Sequence, residues 1–143
     1  MPKYNWKKLG QVFIAENNSE WMQTHASNPV AENISGDLFR IYFSTRKEDN
    51  ISSIAFVEIN INEPQKILRI SDTPVIEPGD PGTFDDSGAS MGCLLNINGK
   101  KYLYYLGWNI CKNVPWHNSI GLAVYDEVND SFKKYKAPIM DRH

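Results

Sequence analysis

Long apolar runs, a surplus of charge of either sign and any helical periodicity are missing from this 143-residue sequence. No stretch approaches the roughly 18 apolar residues of a spanning helix, so no membrane partner is expected. The first fifteen residues set Lys7 and Lys8 among Trp6, Leu9 and Val12, without the apolar core of a signal peptide, and the expected compartment is the cytoplasm. A formal net charge of −2 argues against a general polyanion-binding surface, and no nucleic-acid partner is implied.

Cysteine is scarce too. Cys93 and Cys111 fall on consecutive predicted strands, and a turn at Gly99 like that at Gly36 sets Cys111 opposite Gly88. Cys93 is then five places away, roughly 17 Å at the rise of a strand, which no disulfide spans. Both are expected as buried structural thiols, small hydrophobes in packing terms. His25, His117 and His143 show no ligand spacing, and Asp80, Asp85 and Asp86 lack the alternating order of a calcium loop, so neither a metal nor a cofactor is expected. Gly79, Gly82 and Gly88 precede no strand-to-helix transition, which leaves them as turn residues rather than a phosphate cradle.

What is present is a repetition. Residues 26–46 reappear without a gap as 89–109, an offset of 63, with the identities Ala26/Ala89, Ser27/Ser90, Asn33/Asn96, Ile34/Ile97, Gly36/Gly99 and Tyr42/Tyr105. The match continues with Ser53-Ile54 onto Ser119-Ile120 and Pro74-Val75-Ile76 onto Pro138-Ile139-Met140. A unit that recurs at a fixed period buries its apolar face by stacking on its neighbours. Each copy reads as four strands: 26–34, 38–45, 54–61 and 66–70 in the first, and 89–97, 101–107, 120–125 and 132–135 in the second. Gly36 and Gly99 are placed alike at the first hairpin of each copy, where a tight loop needs positive φ.

The second strands are nearly continuous apolar runs, the pattern of strands buried on both faces. With 41% hydrophobic and 12% aromatic residues, the chain is expected to be soluble, globular and all-β. Four-stranded antiparallel units covered on both sides fit blades of a β-propeller better than a sandwich. The expected division is 1–22 as an N-terminal strand and linker, 23–79 as the first blade and 80–143 as an inter-blade loop and second blade, with 6–13 the extra strand. Two blades leave sheet faces uncovered, so the chain is read as a piece of a longer protein or as a homo-oligomer.

The run Gly82-Thr83-Phe84-Asp85-Asp86-Ser87-Gly88-Ala89-Ser90-Met91, followed by Lys101-Tyr102-Leu103-Tyr104-Tyr105-Leu106-Gly107-Trp108, is similar to the second blade of the five-bladed propeller glycosidases of families 43, 32 and 130. Ala26-Ser27-Asn28-Pro29-Val30 and Arg40-Ile41-Tyr42-Phe43-Ser44-Thr45-Arg46 resemble their first blade. The resemblance implies a carbohydrate ligand at one rim and hydrolysis of a glycosidic bond, which needs two carboxyl groups roughly 5–10 Å apart.

Asp85 and Asp86 are the catalytic candidates. Neighbouring side chains of an extended chain point oppositely, so at most one of them faces the rim, and the resemblance favours Asp86. The turn-rich Pro78-Gly79-Asp80-Pro81-Gly82 just before them equally fits an Asx turn. Asn28, His25, Arg46 and Trp108 are the substrate-binding candidates, Arg46 through its planar fork and Trp108 by stacking on a sugar face. Arg46 has an alternative as an ion pair with Glu48, Asp49 or a neighbouring loop carboxylate, and Trp108 as core or inter-blade packing. Arg40, mid-strand, is assigned to pairing with a buried acid or to snorkelling outward rather than to a ligand, and Lys133-Lys134 to solvated edge charge. Where family members carry an aspartate base the first blade offers His25, Ser27 and Asn28, so this stretch by itself lacks a full catalytic set. A non-catalytic sugar-binding protein, or a self-associating vestigial product, is the alternative.

Overall fold

The computed structural model describes residues 4–141, and His143 lies outside them. Their regular structure is all strand: β1 (Thr24–Ser35), β2 (Leu38–Arg46), β3 (Ser52–Asn60), β4 (Ile67–Ile70), β5 (Gly88–Ile97), β6 (Lys100–Ile110), β7 (Trp116–Asp126) and β8 (Ser131–Lys134). All eight predicted strands of the two copies are present. No helix among the described residues is long and apolar enough to cross a membrane.

Hydrogen bonding arranges the strands as two antiparallel meanders, β1 to β4 and β5 to β8. One parallel contact, Ser52 beside Gly88, joins them into a single mixed eight-stranded sheet. The sheet folds at this seam and the meanders lie face to face. Tyr42, Ile54 and Phe56 of the first pack with Ala89, Met91, Leu103, Tyr105 and Ala123 of the second, and Ile76 of the linking segment joins them. The Met91 N–H donates to Ser44 Oγ at 2.8 Å across this contact. The close approach at the seam depends on Gly88. Its φ is 146°, and a Cβ there would lie 2.3 Å from Ser52 Oγ and 2.6 Å from the Ser52 nitrogen.

The repetition is structural, but its register departs from 63. Ile54 bridges Ile76 as Ile120 bridges Met140, so the third strands of the meanders correspond 66 residues apart. Ser44 lies opposite Ile54 and Leu106 opposite Ile120, so the second strands correspond 62 apart. Ser35 and Leu38 flank one hairpin loop, Ile97 and Lys100 the other, which makes Asn98, not Gly99, the counterpart of Gly36. Asn98 and Gly99 both hold positive φ, the pattern of a type I′ turn, whereas only Gly36 does so in the first loop.

A slip of one residue reverses every side chain. Tyr42 therefore projects toward the second meander, where it meets Phe132, while Tyr105 projects back and stacks on Phe84. Tyr104 takes the place that the identity Tyr42/Tyr105 assigned to Tyr105. β2 is covered on both faces as expected of the second strands, and β3 is covered on both as well. In β6 only one face is: Leu103, Tyr105 and Gly107 are buried, and Tyr102, Tyr104 and Leu106 half-buried.

Two further expectations change. Residues 6–13 form no strand. Phe13, Ala15, Trp21 and Met22 instead pack on the back of the first meander against Phe43, Ala55 and Val57, where a segment gains burial but meets no free row of backbone donors and acceptors. The two-residue loop and a bulge at Gly92 put Trp108, not Cys111, opposite Gly88. Both thiols are free, and neither is a core hydrophobe, since Cys93 is exposed and Cys111 half-buried.

Candidate functional site

One row of paired residues crosses both meanders at the same end of the sheet: Thr24, Arg46, Ser52, Gly88, Trp108 and Asn118, each beside the next. This row gathers His25, Arg46 and Trp108 at one end, and Asp86 enters the sheet two residues before Gly88. Asn28 lies deeper along β1, in an irregular stretch between Ser27 and Val30. His25 and Asn28 are exposed and hold left-handed φ values of 65° and 53°. Such irregularities re-aim side chains that a regular strand would alternate.

Arg46 is half-buried and makes no ion pair among the described residues. Asp49, one of the acids expected to occupy it, pairs with Lys47 at 3.1 Å instead. Trp108 donates its Nε1–H to Ser52 Oγ at 2.8 Å and so spans the seam between the meanders. Trp116 opens β7 at the same end and is 59% exposed. His117 Nε2 and Ser119 Oγ both reach Asp141 Oδ1, at 2.7 and 2.9 Å.

The two adjacent carboxylates have separate surroundings. Asp86 accepts the Gly82 N–H at 2.9 Å and the Ser87 hydroxyl at 3.0 Å, the turn-closing arrangement. Asp85 is 2% exposed. It accepts from the Tyr105 hydroxyl at 3.0 Å, Thr83 Oγ1 at 3.0 Å and Lys134 Nζ at 2.8 Å. Lys134 is thus the partner of a buried acid rather than a solvated edge charge, and the strand alternation that puts it on the face of Phe132 was the available signal. Lys133, on the other face, pairs with Asp126 at 2.6 Å.

Arg40 is engaged as its mid-strand position implied. It is 8% exposed, donates to Glu58 at 3.0 and 2.8 Å and to Asp130 at 3.0 Å, and lies 4.2 Å from the centre of the Phe56 ring. Asp130 also accepts from Tyr125 at 2.6 Å. This cluster clamps the β7–β8 turn of the second meander to β2 and β3 of the first. The hydrogen bond from Arg40, opposed by burial, holds the Asp130 carboxyl below the usual range.

Burial and then the Asp85 charge push the Tyr105 phenol up, and burial does the same to Tyr42. A phenol raised in the native state favours folding fully below the unfolded value of about 10, and that contribution is lost as pH rises beyond it. Urea midpoints should therefore fall between about pH 10 and 11, and less so in Tyr105→Phe. A flat profile in the wild type would contradict these buried phenols. For Asp130 the sign reverses: its contribution is present at neutral pH and lost as pH falls through its lowered pKa.

No family model matches the chain. Two relatives do. The proteins named "Uncharacterized protein Rv1502" and "Uncharacterized protein MT1551", from two strains of Mycobacterium tuberculosis, are 42% identical over 130 residues, 91% of this chain. The chain spans 43% of the length of each.

Proposed function

We propose that the two meanders are consecutive blades of a β-propeller related to the five-bladed glycosidases, and that the end row binds a carbohydrate. The observation that carries the ligand reading is Arg46, a half-buried guanidinium without an acidic partner among the described residues, in register with Trp108 and at the end where Asp86 enters. Its planar fork suits vicinal hydroxyls or a carboxylate of a sugar. Asp86, anchored by Gly82 and Ser87, supplies an acceptor, and Asn28 and His25 add polar groups along β1. The blade reading is supported by stacked meanders of like register and by length: at 130 matched residues for 43%, the relatives hold about 300 residues, roughly five units of this period.

Asp85 is saturated inside the layer contact, which leaves Asp86 as the carboxylate of the pair at the row. Two carboxyl groups are needed for hydrolysis. The chain accordingly binds its sugar, and turnover belongs to an assembly in which further blades or another subunit bring the second group. Titration calorimetry with arabinose-, xylose- and mannose-containing oligosaccharides tests this. Saturable binding is expected, weakened about tenfold or more by Arg46→Ala and by Asp86→Asn without loss of folding. Chromogenic glycosides of the same sugars should show no turnover by the chain alone. Absence of binding across the panel would sink the reading.

A further inference from the structure

Residues paired across neighbouring strands put their side chains on one face of a sheet, so Arg46, Ser52 and Trp108 of the end row share a face. Ser52 and Gly88 stand between the other two. Three strand spacings, roughly 14 Å along the sheet, separate the backbone of Arg46 from that of Trp108. A ligand that meets both side chains needs the indole to lean toward the first meander.

It does lean that way. The Trp108 Nε1–H reaches back over Gly88 and donates to Ser52 Oγ at 2.8 Å, one strand from Arg46. Gly88 leaves the room: the indole nitrogen lies 2.7 Å from the point where a Cβ would stand, so a side chain at 88 would displace it. Among the described residues, Trp108 joins neither apolar cluster of the core and is only half-buried, so enclosure does not orient the ring. Ser52, by contrast, is 1% exposed and held in the sheet. Its hydroxyl takes the one polar group of the indole, a donor without an acceptor, and what the ring has left to offer a ligand is carbon surface.

We propose that Ser52 is the positioning residue of Trp108: through the gap left by Gly88 it holds the indole N–H and turns the ring toward Arg46, so that Trp108 meets the sugar by its carbon surface and not by its N–H. This rests on the ligand reading of the end row and deepens it. Arg46 of the first meander supplies the polar contact, and Trp108 of the second supplies the apolar one. The pair selects a sugar ring that shows a face of C–H bonds over one with hydroxyls projecting from both faces.

Two readouts on the whole chain test this, one of them free of sugar. Proton–nitrogen correlation spectra resolve the indole N–H groups of the four tryptophans, and Trp108→Phe identifies the signal of Trp108. That N–H should exchange slowly with water in the wild type and about fivefold or more faster in Ser52→Ala. Calorimetry with an oligosaccharide that the wild type binds gives the second readout. Ser52→Ala and Trp108→Phe should each weaken binding about fivefold, with circular dichroism unchanged. Phenylalanine keeps a ring but has no N–H to anchor, so a ring that stacks without being positioned would lose little in that variant. The double variant should bind no more weakly than Trp108→Phe, since both changes remove the same bond, and Trp108→Phe carries the test alone if Ser52→Ala does not fold. A Trp108 N–H that exchanges freely in the wild type, wild-type affinity in either folded variant, or additive losses in the double variant would overturn the proposal while sugar binding itself stands. Absence of binding by the wild type would remove the ligand reading and this proposal with it, whatever the indole signal shows.

Discussion

Gly88→Ala is expected to destabilise the chain by about 3 kcal/mol or more, up to loss of folding at room temperature. Two effects act together. The φ of 146° strains any residue with a Cβ, and that Cβ would meet the Ser52 nitrogen at 2.6 Å, a backbone atom that does not rotate away. The Trp108 ring nitrogen, 2.7 Å from the same point, closes the remaining side. Relief therefore requires parting the strands at the parallel contact of Ser52 with Gly88 that joins the two meanders into one sheet, and the face-to-face core opens with them. Urea denaturation of Gly88→Ala beside Gly99→Ala is the direct check. Gly99 has nothing within 4 Å of the corresponding Cβ, so that variant carries only the strain of its positive φ. Equal losses in the two variants would show that the seam is looser than described.

Asp85→Ala is the second large effect, at about 3 kcal/mol. The carboxylate is 2% exposed, and its removal leaves Lys134, whose side chain is 26% exposed, facing a space that Tyr105 and Thr83 also addressed. Breaking one side of a buried pair is more damaging than removing both, because the surviving charge loses its partner while remaining desolvated. Asp85→Ala combined with Lys134→Met should therefore be more stable than Asp85→Ala alone. Strict additivity of the two changes in a double-mutant cycle would contradict the pair. On the proposed ligand reading, sugar binding at the row should survive in any folded Asp85 variant, whereas Asp86→Asn should weaken it with little change in stability. That contrast separates two neighbouring aspartates which look alike as a dipeptide.

Much of the layout is legible from residue order. All eight strands of the repeat were predicted, because turn residues and apolar runs act over a few positions and need no distant partner. For Arg40 the sequence left a buried acid or outward snorkelling, and the structure shows the first, because a guanidinium buried between apolar neighbours needs a charged partner. Register was not. The identity Gly36/Gly99 set the two hairpins one residue out of step, although both loops hold two residues, and this reversed the assigned faces of Tyr105 and its neighbours. The N-terminal residues 6–13 look like a strand by composition, but no free sheet edge receives them. At the end row, the sequence named Arg46 and Trp108 but not Ser52, the residue that ties the indole across the seam.

Residue order alone thus determined that this chain is an all-strand duplication and where its turns fall, since both follow from local backbone preference and the period of the side chains. Tertiary structure alone decided that Asp85 turns inward to Lys134 while Asp86 stays at the sheet end, and that among the described residues Arg46 meets no acid and one apolar face of the second meander has no covering layer. The reason is physical. A carboxylate's surroundings and a sheet's covering are set by segments far apart in sequence, 49 positions for Asp85 and Lys134, and the packing of two layers chooses among pairings that local preference leaves equal.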